Sequence, residues 1–217
     1  GETVVSAKEK CPDLTLVPPN YDLYNKSSKA LIKLLSEYTD KIEQYSIDEA
    51  FLDMTGCCDD SERTAHEIKD RVHAQLGFTV NIGVSENKLL AKMASDFMKP
   101  DRVHTLWKSE IQTKMWPLPV SELFYVGHAS LNKLRKLGIH TIGELAATDP
   151  GILQAHMKSQ GLLIWQYANG IDETAVIDTP PLAKGYGNSL TTPQDVTEPG
   201  IAKQYLCLLY TSDAADD

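Results

Sequence analysis

Long apolar runs, Cys-x-x-Cys pairs and a basic overall charge are all missing from this sequence of 217 residues. No stretch reaches the roughly 20 apolar residues of a membrane-spanning helix, so we expect no membrane partner. The first residues have no charged head followed by an apolar core, so we expect no signal peptide. The spacing of the four cysteines argues against a zinc finger or a disulfide framework and favours reduced thiols in a cytoplasmic protein. The six histidines show no metal-ligand spacing.

The net charge of −9 does not exclude a nucleic-acid partner, because the charges are unevenly distributed along the chain. Residues 61–160 carry 13 Lys and Arg side chains against 10 Asp and Glu, whereas both flanking segments are acidic. Phosphate binding depends on a local basic surface rather than on the total charge.

Two adjacent carboxylates, Asp48 and Glu49, interrupt a strand-like apolar run that reads Tyr-Ser-Ile-Asp-Glu-Ala-Phe-Leu-Asp from residue 45. An isolated pair of this kind is usually solvated at a strand edge or a turn. Apolar residues on both sides favour a charged partner here, and Mg²⁺ is the natural one because hard cations prefer oxygen ligands. Successive side chains of a straight strand point to opposite faces, so both acids can serve one site only if the chain bends there.

A cationic stripe is predicted on a short helix that begins at Ser85 and ends before Pro100. With 100° between successive residues, Lys88, Lys92 and Lys99 fall within about 40° of one another, roughly opposite a face of Leu, Met and Phe. A solvated helix face would have the same pattern. The stripe also places point charges where a polyphosphate could be held.

Residues 108–171 are predicted to form short helices, with a capping box from Thr141 to Glu144. Within them, residues 118–138 resemble a helix-hairpin-helix element, in which backbone N–H groups at the turn contact a DNA phosphate without reading sequence. The residues expected at this contact are Gly127, His128, Ser130 and Lys133. Ala129 stands where the usual second glycine would be, and a purely structural helix pair looks similar.

Taken together, these motifs resemble those of the Y-family, or translesion, DNA polymerases of the DinB and UmuC kind. Residues 45–53 are similar to the second catalytic motif, residues 87–100 to the phosphate-side helix of the palm, and residues 187–196 to the start of the little finger. The resemblance implies an α+β fold, with a palm built on a small mixed sheet with helices on one side, followed by an all-helical thumb.

The implied domain boundaries follow the motifs in chain order. They are 1–13 for a remnant of the fingers, 14–107 for the palm, 108–171 for the thumb, 172–187 for a linker, 188–209 for a truncated start of the little finger, and 210–217 for a non-native tail. Within the first 107 residues, the spacing of apolar residues predicts a helix over residues 22–42 and strands over residues 14–17 and 78–84. We expect a strand near residues 188–194, a helix from about Pro199, and no helical pattern in the tail.

The resemblance also implies template-directed DNA synthesis across damaged DNA, with primer–template DNA and deoxynucleoside triphosphates as partners. Asp48 and Glu49 match the metal-binding carboxylates, with Glu49 in the catalytic role, and Lys99 matches the lysine that contacts the incoming triphosphate. Lys92 and Lys88 extend this nucleotide-binding surface. In two-metal nucleotidyl transfer, one Mg²⁺ activates the primer hydroxyl and a second, about 3.5–4 Å away, stabilises the leaving group. Binding of a sliding clamp through sequence beyond residue 217 stays open.

Part of the family pattern is not found in the chain. The first catalytic motif, which supplies another metal-binding Asp and an aromatic residue that excludes ribonucleotides, is absent, as are most of the fingers. We therefore expect an internal fragment that lacks polymerase activity by itself. The alternative is a non-catalytic module that binds damaged DNA through the helical hairpin, and an unrelated α+β domain would require both palm motifs to be accidental.

Overall fold

The computed structural model describes residues 2–179, 185, 187 and 189–213, and its contacts divide the chain after Thr179 into two compact units. The second unit contains one described helix, α9 (Pro199–Asp213). The first unit contains, in chain order, α1 (Val4–Lys10), α2 (Tyr21–Leu35), β1 (Ile42–Gln44), β2 (Ala50–Leu52), α3 (Ser61–Leu76), β3 (Ile82–Val84), α4 (Lys88–Ser95), β4 (Val103–Thr105), α5 (His128–Lys136), α6 (Ile142–Ala147), α7 (Pro150–Met157) and α8 (Ser159–Ala168).

The strands in the described part of the chain form two separate two-stranded ladders. Strands β1 and β2 pair in the antiparallel sense, with Glu43 opposite Phe51. Strands β3 and β4 pair in the parallel sense, with Gly83 opposite His104, and α4 connects them. The α+β class is confirmed, although the expected small mixed sheet is divided into one antiparallel and one parallel pair.

Two apolar clusters hold the first unit together. The smaller cluster packs α2 and α3 against the β1–β2 hairpin, with a buried centre of Leu34, Leu35, Ile68 and Val72. The larger cluster combines the apolar face of α4 with the helices that follow residue 107, and its fully buried members include Leu90, Leu106, Leu134 and Ile164. The helix that carries Lys88 and Lys92 therefore shares a core with residues 108–171.

Side-chain caps explain where several helices begin. The Asn87 side chain accepts a hydrogen bond from the N–H of Leu90 at 2.9 Å and starts α4. At α6, Thr141 accepts from the N–H of Glu144 while the Glu144 carboxylate accepts from the N–H of Thr141, so the predicted capping box is confirmed.

Three predicted elements of the first unit have wrong boundaries. The helix expected over residues 22–42 ends at Leu35, because the Thr39 hydroxyl donates to the carbonyl of Asp53 at 2.8 Å and holds the chain against the hairpin. The strand expected over residues 78–84 covers only Ile82–Val84, where β4 offers a partner. The strand expected at residues 14–17 does not form, and no strand in the described residues pairs with it.

The second unit differs from its prediction in two places. The described residues 189–194 form no strand, and Asn188 lies outside the described residues. The helix expected from Pro199 is confirmed, but it continues to Asp213, so the expectation of no helix in the tail is wrong for residues 210–213. Residues 214–217 and 180–184 lie outside the described part of the chain. Among the described helices, none has the length and apolarity to span a bilayer.

Candidate active site

The acidic pair lies in the loop of the β1–β2 hairpin, where the chain bends as a shared site requires. The N–H groups of Tyr45 and Ser46 both donate to the carbonyl of Glu49, at 2.9 and 3.1 Å. The Ser46 hydroxyl donates to Asp48 Oδ1 at 2.8 Å and orients that carboxylate. Asp48 is exposed and Glu49 is half-buried. Asp48 is therefore hydrated in spite of its apolar neighbours in the sequence. Glu49 is the carboxylate that needs a charged partner, because it is partly removed from water.

Lys92 on α4 is the partner of Glu49. Its Nζ lies 2.6 Å from Glu49 Oε1 and 3.1 Å from Asp96 Oδ2, and only 15% of the lysine side chain is exposed. Burial lowers the pKa of Lys92, but the hydrogen bonds to Glu49 and Asp96 outweigh it and the net pKa is raised. Lys92 therefore stays charged and holds the Glu49 carboxylate against α4.

Lys99 joins the same network through Asp96. Its Nζ lies 2.8 Å from Asp96 Oδ1, while 59% of the lysine side chain remains exposed. Burial raises the pKa of Asp96, but Lys99 and Lys92 outweigh burial and the net pKa is lowered. Because α4 ends at Ser95, Lys99 does not lie on the helix as predicted but four residues beyond its end.

Lys88, the third predicted lysine, is held by a different carboxylate. Its Nζ lies 2.7 Å from Glu43 Oε2, 3.3 Å from the carbonyl oxygen of Ala175 and 5.2 Å from the ring centroid of Phe51. The exposed fractions of the two charged side chains are 15% and 18%. Lys88 is therefore engaged by its own chain, and Lys99 is the most exposed of the three lysines.

All five of these predicted residues line one cleft of about 1490 Å³, within the first unit: Asp48, Glu49, Lys88, Lys92 and Lys99. The acidic pair and the lysines thus face the same space. A site that takes a divalent cation and a polyphosphate together requires this arrangement.

The carboxylates fit part of a magnesium site. Asp48 and Glu49 offer the oxygen donors that Mg²⁺ prefers, and Asp48 is open to solvent. In the portion of the chain that the structure describes, however, no three His, Cys, Asp or Glu side chains are grouped so that they could hold a metal ion. Glu49 Oε1 is also engaged by Lys92. The described residues therefore do not complete a metal site by themselves.

One wall of the cleft is a docked segment, residues 170–177, which follows α8. Four hydrogen bonds attach it to the α4 and β1 region: Asn87 Nδ2 to the carbonyl of Gly170 at 3.0 Å, the N–H of Leu89 to Asp172 Oδ2 at 3.1 Å, Lys88 Nζ to the carbonyl of Ala175 at 3.3 Å, and the N–H of Ile177 to Glu43 Oε2 at 2.8 Å. The segment predicted as a linker from residue 172 thus begins in contact with the helix that carries the lysines.

The helical hairpin differs from its expected geometry. Its first helix is a single 3₁₀ turn, Val120–Glu122, and α5 begins after Gly127, whose backbone is extended. In this turn, Tyr125 has a left-handed backbone conformation, with φ of 72°. Glycine is the usual residue in that conformation, so Tyr125 is the position at which the chain departs from the two-glycine pattern. Ala129 lies in the first turn of α5 and needs no such conformation. Of the predicted contact residues, Ser130 is half-buried and three are exposed: Gly127, His128 and Lys133.

A chain of aromatic contacts connects this hairpin to the acidic pair. Each ring of the chain contacts the next, with centroids 4.9–6.1 Å apart, in the order Phe51, Tyr45, Phe124, Tyr125 and Tyr167. The N–H of Phe124 also donates to Met93 Sδ on α4 at 3.4 Å. Burial and the neighbouring Tyr125 raise the pKa of Tyr45 above its ordinary value. The hairpin and the carboxylates are therefore parts of one packed assembly.

Sequence reasoning missed the carboxylates that bind α4, either at its lysines or at its backbone. Asp96 could have been found, because it lies four residues after Lys92 and three before Lys99, which are the spacings of ion pairs on a helix. Glu43 and Asp172 carried no local signal, since their partners on α4 are 45 and 83 residues away in the sequence.

Comparison with known proteins gives the class of the protein. Residues 1–96 match the impB/mucB/samB family. The crystal structure of a DinB family error-prone DNA polymerase from Sulfolobus solfataricus superposes with a TM-score of 0.73 and 27% identity, over 82% of this chain and 55% of that one. An insertion ternary complex of Dbh DNA polymerase gives a TM-score of 0.71 and 28% identity, over 81% of this chain and 53% of that one. Over the matched residues, the chain is similar to the Y-family DNA polymerases.

Its relatives in sequence carry a more particular name. DNA polymerase IV of Clostridium acetobutylicum is 48% identical over 200 residues, which are 91% of this chain and 50% of the relative. DNA polymerase IV 1 of Bacillus subtilis is 43% identical over 199 residues, which are 90% of this chain and 48% of the relative. The chain thus spans about half the length of these relatives.

Proposed function

We propose that the protein containing this chain synthesises DNA across damaged template positions by transferring nucleotides from deoxynucleoside triphosphates to a primer. The main support is that the acidic pair lines the same cleft as Lys92 and Lys99, the two lysines that Asp96 links. The relatives named DNA polymerase IV, and the similar structure of an insertion ternary complex of Dbh DNA polymerase, support the same chemistry.

In this proposal Asp48 and Glu49 bind Mg²⁺ together with a ligand from outside the described residues, and Glu49 has the catalytic role. When bound, Mg²⁺ stabilises negative charge that develops on the reacting phosphate. Lys99 contacts the triphosphate, because more than half of its side chain is exposed. Lys92 and Lys88 make the adjoining wall positive and are themselves held by Glu49 and Glu43.

The helical hairpin holds the primer–template duplex through phosphate contacts at the start of α5. We assign residues 14–107 to the palm, 108–171 to the thumb and 188–209 to the start of the little finger, in a protein of the cytoplasm. By themselves the 217 residues do not synthesise DNA, because the described carboxylates form only part of a metal site. Robust primer extension by this chain alone would overturn that expectation.

A chimera provides the test of the proposed activity. Residues 14–179 replace the matching segment of the Clostridium acetobutylicum DNA polymerase IV, the relative that is 48% identical. The chimera should extend a primer past a template lesion, and Glu49→Gln in it should reduce the rate at least about 100-fold, since a preorganised charge at the reacting group is lost. A chimera that extends primers equally well with Asp48→Asn and Glu49→Gln contradicts the proposal.

The incomplete metal site favours a second function for the chain by itself, non-catalytic binding of damaged DNA through the helical hairpin. This reading predicts that Asp48→Ala with Glu49→Ala leaves DNA affinity unchanged, whereas Lys133→Ala weakens it. Manganese binding that is lost in the double variant would favour the catalytic reading.

A further inference from the structure

We infer that Tyr45 and Tyr125 form a tyrosine surface, beside the acidic pair, that stacks on an unpaired nucleobase of the bound DNA. This inference rests on the proposed function and adds a contact that is neither with a phosphate nor with a metal. Neither residue belongs to the acidic pair, to the lysines or to the predicted contact residues of the helical hairpin.

The first support is that both rings are exposed and at the same time held in place. Tyr45 is 44% exposed and Tyr125 is 52% exposed. Phe124 lies between them, with its ring centroid 6.1 Å from that of Tyr45 and 4.9 Å from that of Tyr125. Tyr167 contacts the Tyr125 ring at 5.8 Å. Aromatic side chains that are already immobilised lose little conformational entropy when they bind a partner.

The second support is where the tyrosine surface lies. The N–H of Tyr45 donates to the carbonyl of Glu49 at 2.9 Å, which places Tyr45 directly beside the acidic pair. Tyr125 is two residues before Gly127, the residue that precedes α5. The two rings therefore bridge the carboxylates and the turn of the helical hairpin.

Local charge identifies the occupant as a nucleic acid. Residues 118–140, which include the tyrosine-bearing turn, contain one carboxylate, Glu122, against three cations: Lys133, Arg135 and Lys136. All three cations are exposed on α5. Exposed aromatic rings beside exposed cations are the combination that binds single-stranded nucleic acid, with stacking for the bases and cations for the backbone. Stacking on a ring face is tolerant of sequence, as a contact with any template base must be.

The backbone at Tyr125 makes a clean test possible. Its φ of 72° is in the left-handed region, where glycine is the usual residue and a bulky residue is uncommon. Tyr125→Gly therefore removes the ring while relieving backbone strain. The hydrogen bond from Gln160 Nε2 to the Tyr125 carbonyl, at 3.2 Å, uses only the backbone and survives this substitution.

The experiment measures the affinity of the 217-residue chain for a primer–template with a single-stranded overhang, by fluorescence anisotropy over a range of salt concentrations. Tyr125→Phe keeps the ring and should bind within about twofold of wild type. Tyr125→Leu and Tyr125→Gly should bind about five- to 150-fold more weakly, the range expected for one lost stacking contact. The slope of log Kd against log salt should not change in any of them, because no phosphate contact is lost.

Each outcome decides between the possible roles of the ring. Wild-type affinity in Tyr125→Gly overturns the inference, and so does a loss in Tyr125→Phe equal to that in Tyr125→Leu, which would indicate a hydroxyl contact. Weaker binding that is matched by a lower Tm in Tyr125→Gly would indicate packing and would also overturn it. 5-Iododeoxyuridine placed in the overhang should photocrosslink to Tyr125 or Tyr45. Crosslinks found only at other residues contradict the stacking contact.

A Lys133→Ala variant separates this inference from the proposed function. If the hairpin binds phosphates, Lys133→Ala weakens binding and reduces the salt slope by about one. That result together with full affinity in Tyr125→Gly overturns the tyrosine surface alone. No DNA binding by the wild-type chain overturns the tyrosine surface and the hairpin contact together, whereas DNA synthesis by the containing protein is decided separately, by the chimera.

Discussion

Substitution of Gly83 by alanine tests how closely α4 packs on β3. A Cβ atom added to Gly83 would lie 1.8 Å from the carbonyl oxygen of Ala91 and 2.6 Å from the N of Ser95. Both are backbone atoms of α4, so no side-chain rotation can relieve the clash. The glycine therefore sets how near the lysine-bearing helix can approach the parallel strand pair.

The size of the effect follows from these distances. To bring the Ala91 contact even to 3.0 Å, α4 must move by about 1.2 Å relative to β3. This movement disturbs the packing of three fully or almost fully buried residues of α4: Leu89, Leu90 and Met93. Overpacking of this kind costs about 3 kcal/mol, at the upper end of the usual range. In a chain of this length, that cost lowers Tm by about 6–12 °C.

Thermal unfolding followed by far-UV circular dichroism measures this difference. Gly127→Ala is the matched control, because Gly127 has φ of −83° and a Cβ there meets no atom within 4 Å. The control should remain within about 2 °C of wild type, as surface substitutions do. A Tm for Gly83→Ala that is equally close to wild type would refute the reasoning, since α4 could then accommodate a Cβ without cost.

The remaining predictions concern the network around α4. Asp172→Ala removes the acceptor of the Leu89 N–H and should lower stability by about 1 kcal/mol, seen as a lower urea midpoint and as faster amide exchange at Leu89. The pKa of Asp96 in the folded protein is below its ordinary 3.8, so its stabilising effect is complete above pH 3.8 and is lost as pH falls through the lower folded pKa. Urea titrations at several pH values should show that the free energy of unfolding falls less steeply at acid pH in Asp96→Asn than in wild type. An unchanged dependence on acid pH contradicts the ion-pair network. Lys99→Ala should weaken binding of a fluorescent deoxynucleoside triphosphate about tenfold. The control is Lys114→Ala, which breaks a similar ion pair outside the cleft and should leave this affinity unchanged. Equal losses of affinity in the two variants would exclude a specific contact by Lys99.

Several features of the site could be predicted because their causes are local in sequence. The bend at Asp48 and Glu49 was required by the alternation of strand side chains, and the hairpin loop provides it. The capping box at Thr141 depends on residues three positions apart, so sequence alone indicates it. The buried face of α4 follows from its helical spacing of apolar residues.

Other predictions failed where a distant contact competes with local preference. The periodicity of residues 22–42 continues past Leu35, but the Thr39 hydroxyl bonds to Asp53 and ends the helix. The angle that relates Lys99 to Lys92 on a helical wheel has no meaning in the structure, because α4 ends at Ser95. The glycine missing from the hairpin was assigned to Ala129, although the left-handed position belongs to Tyr125, whose sequence neighbours give no sign of it.

By itself, the sequence determined which chemical groups are available: two adjacent carboxylates in a bend, lysines at helical spacing before Pro100, and short capped helices with a cationic hairpin. These depend on residues within a few positions of one another, and backbone geometry relates such residues directly. Only the tertiary structure decided which lysine each carboxylate holds, that residues 170–177 form a wall of the cleft, and that Tyr45 and Tyr125 share the packing of Phe124. The partners in those contacts are up to 134 residues apart, and only the packing of the two cores brings them within hydrogen-bond or van der Waals distance.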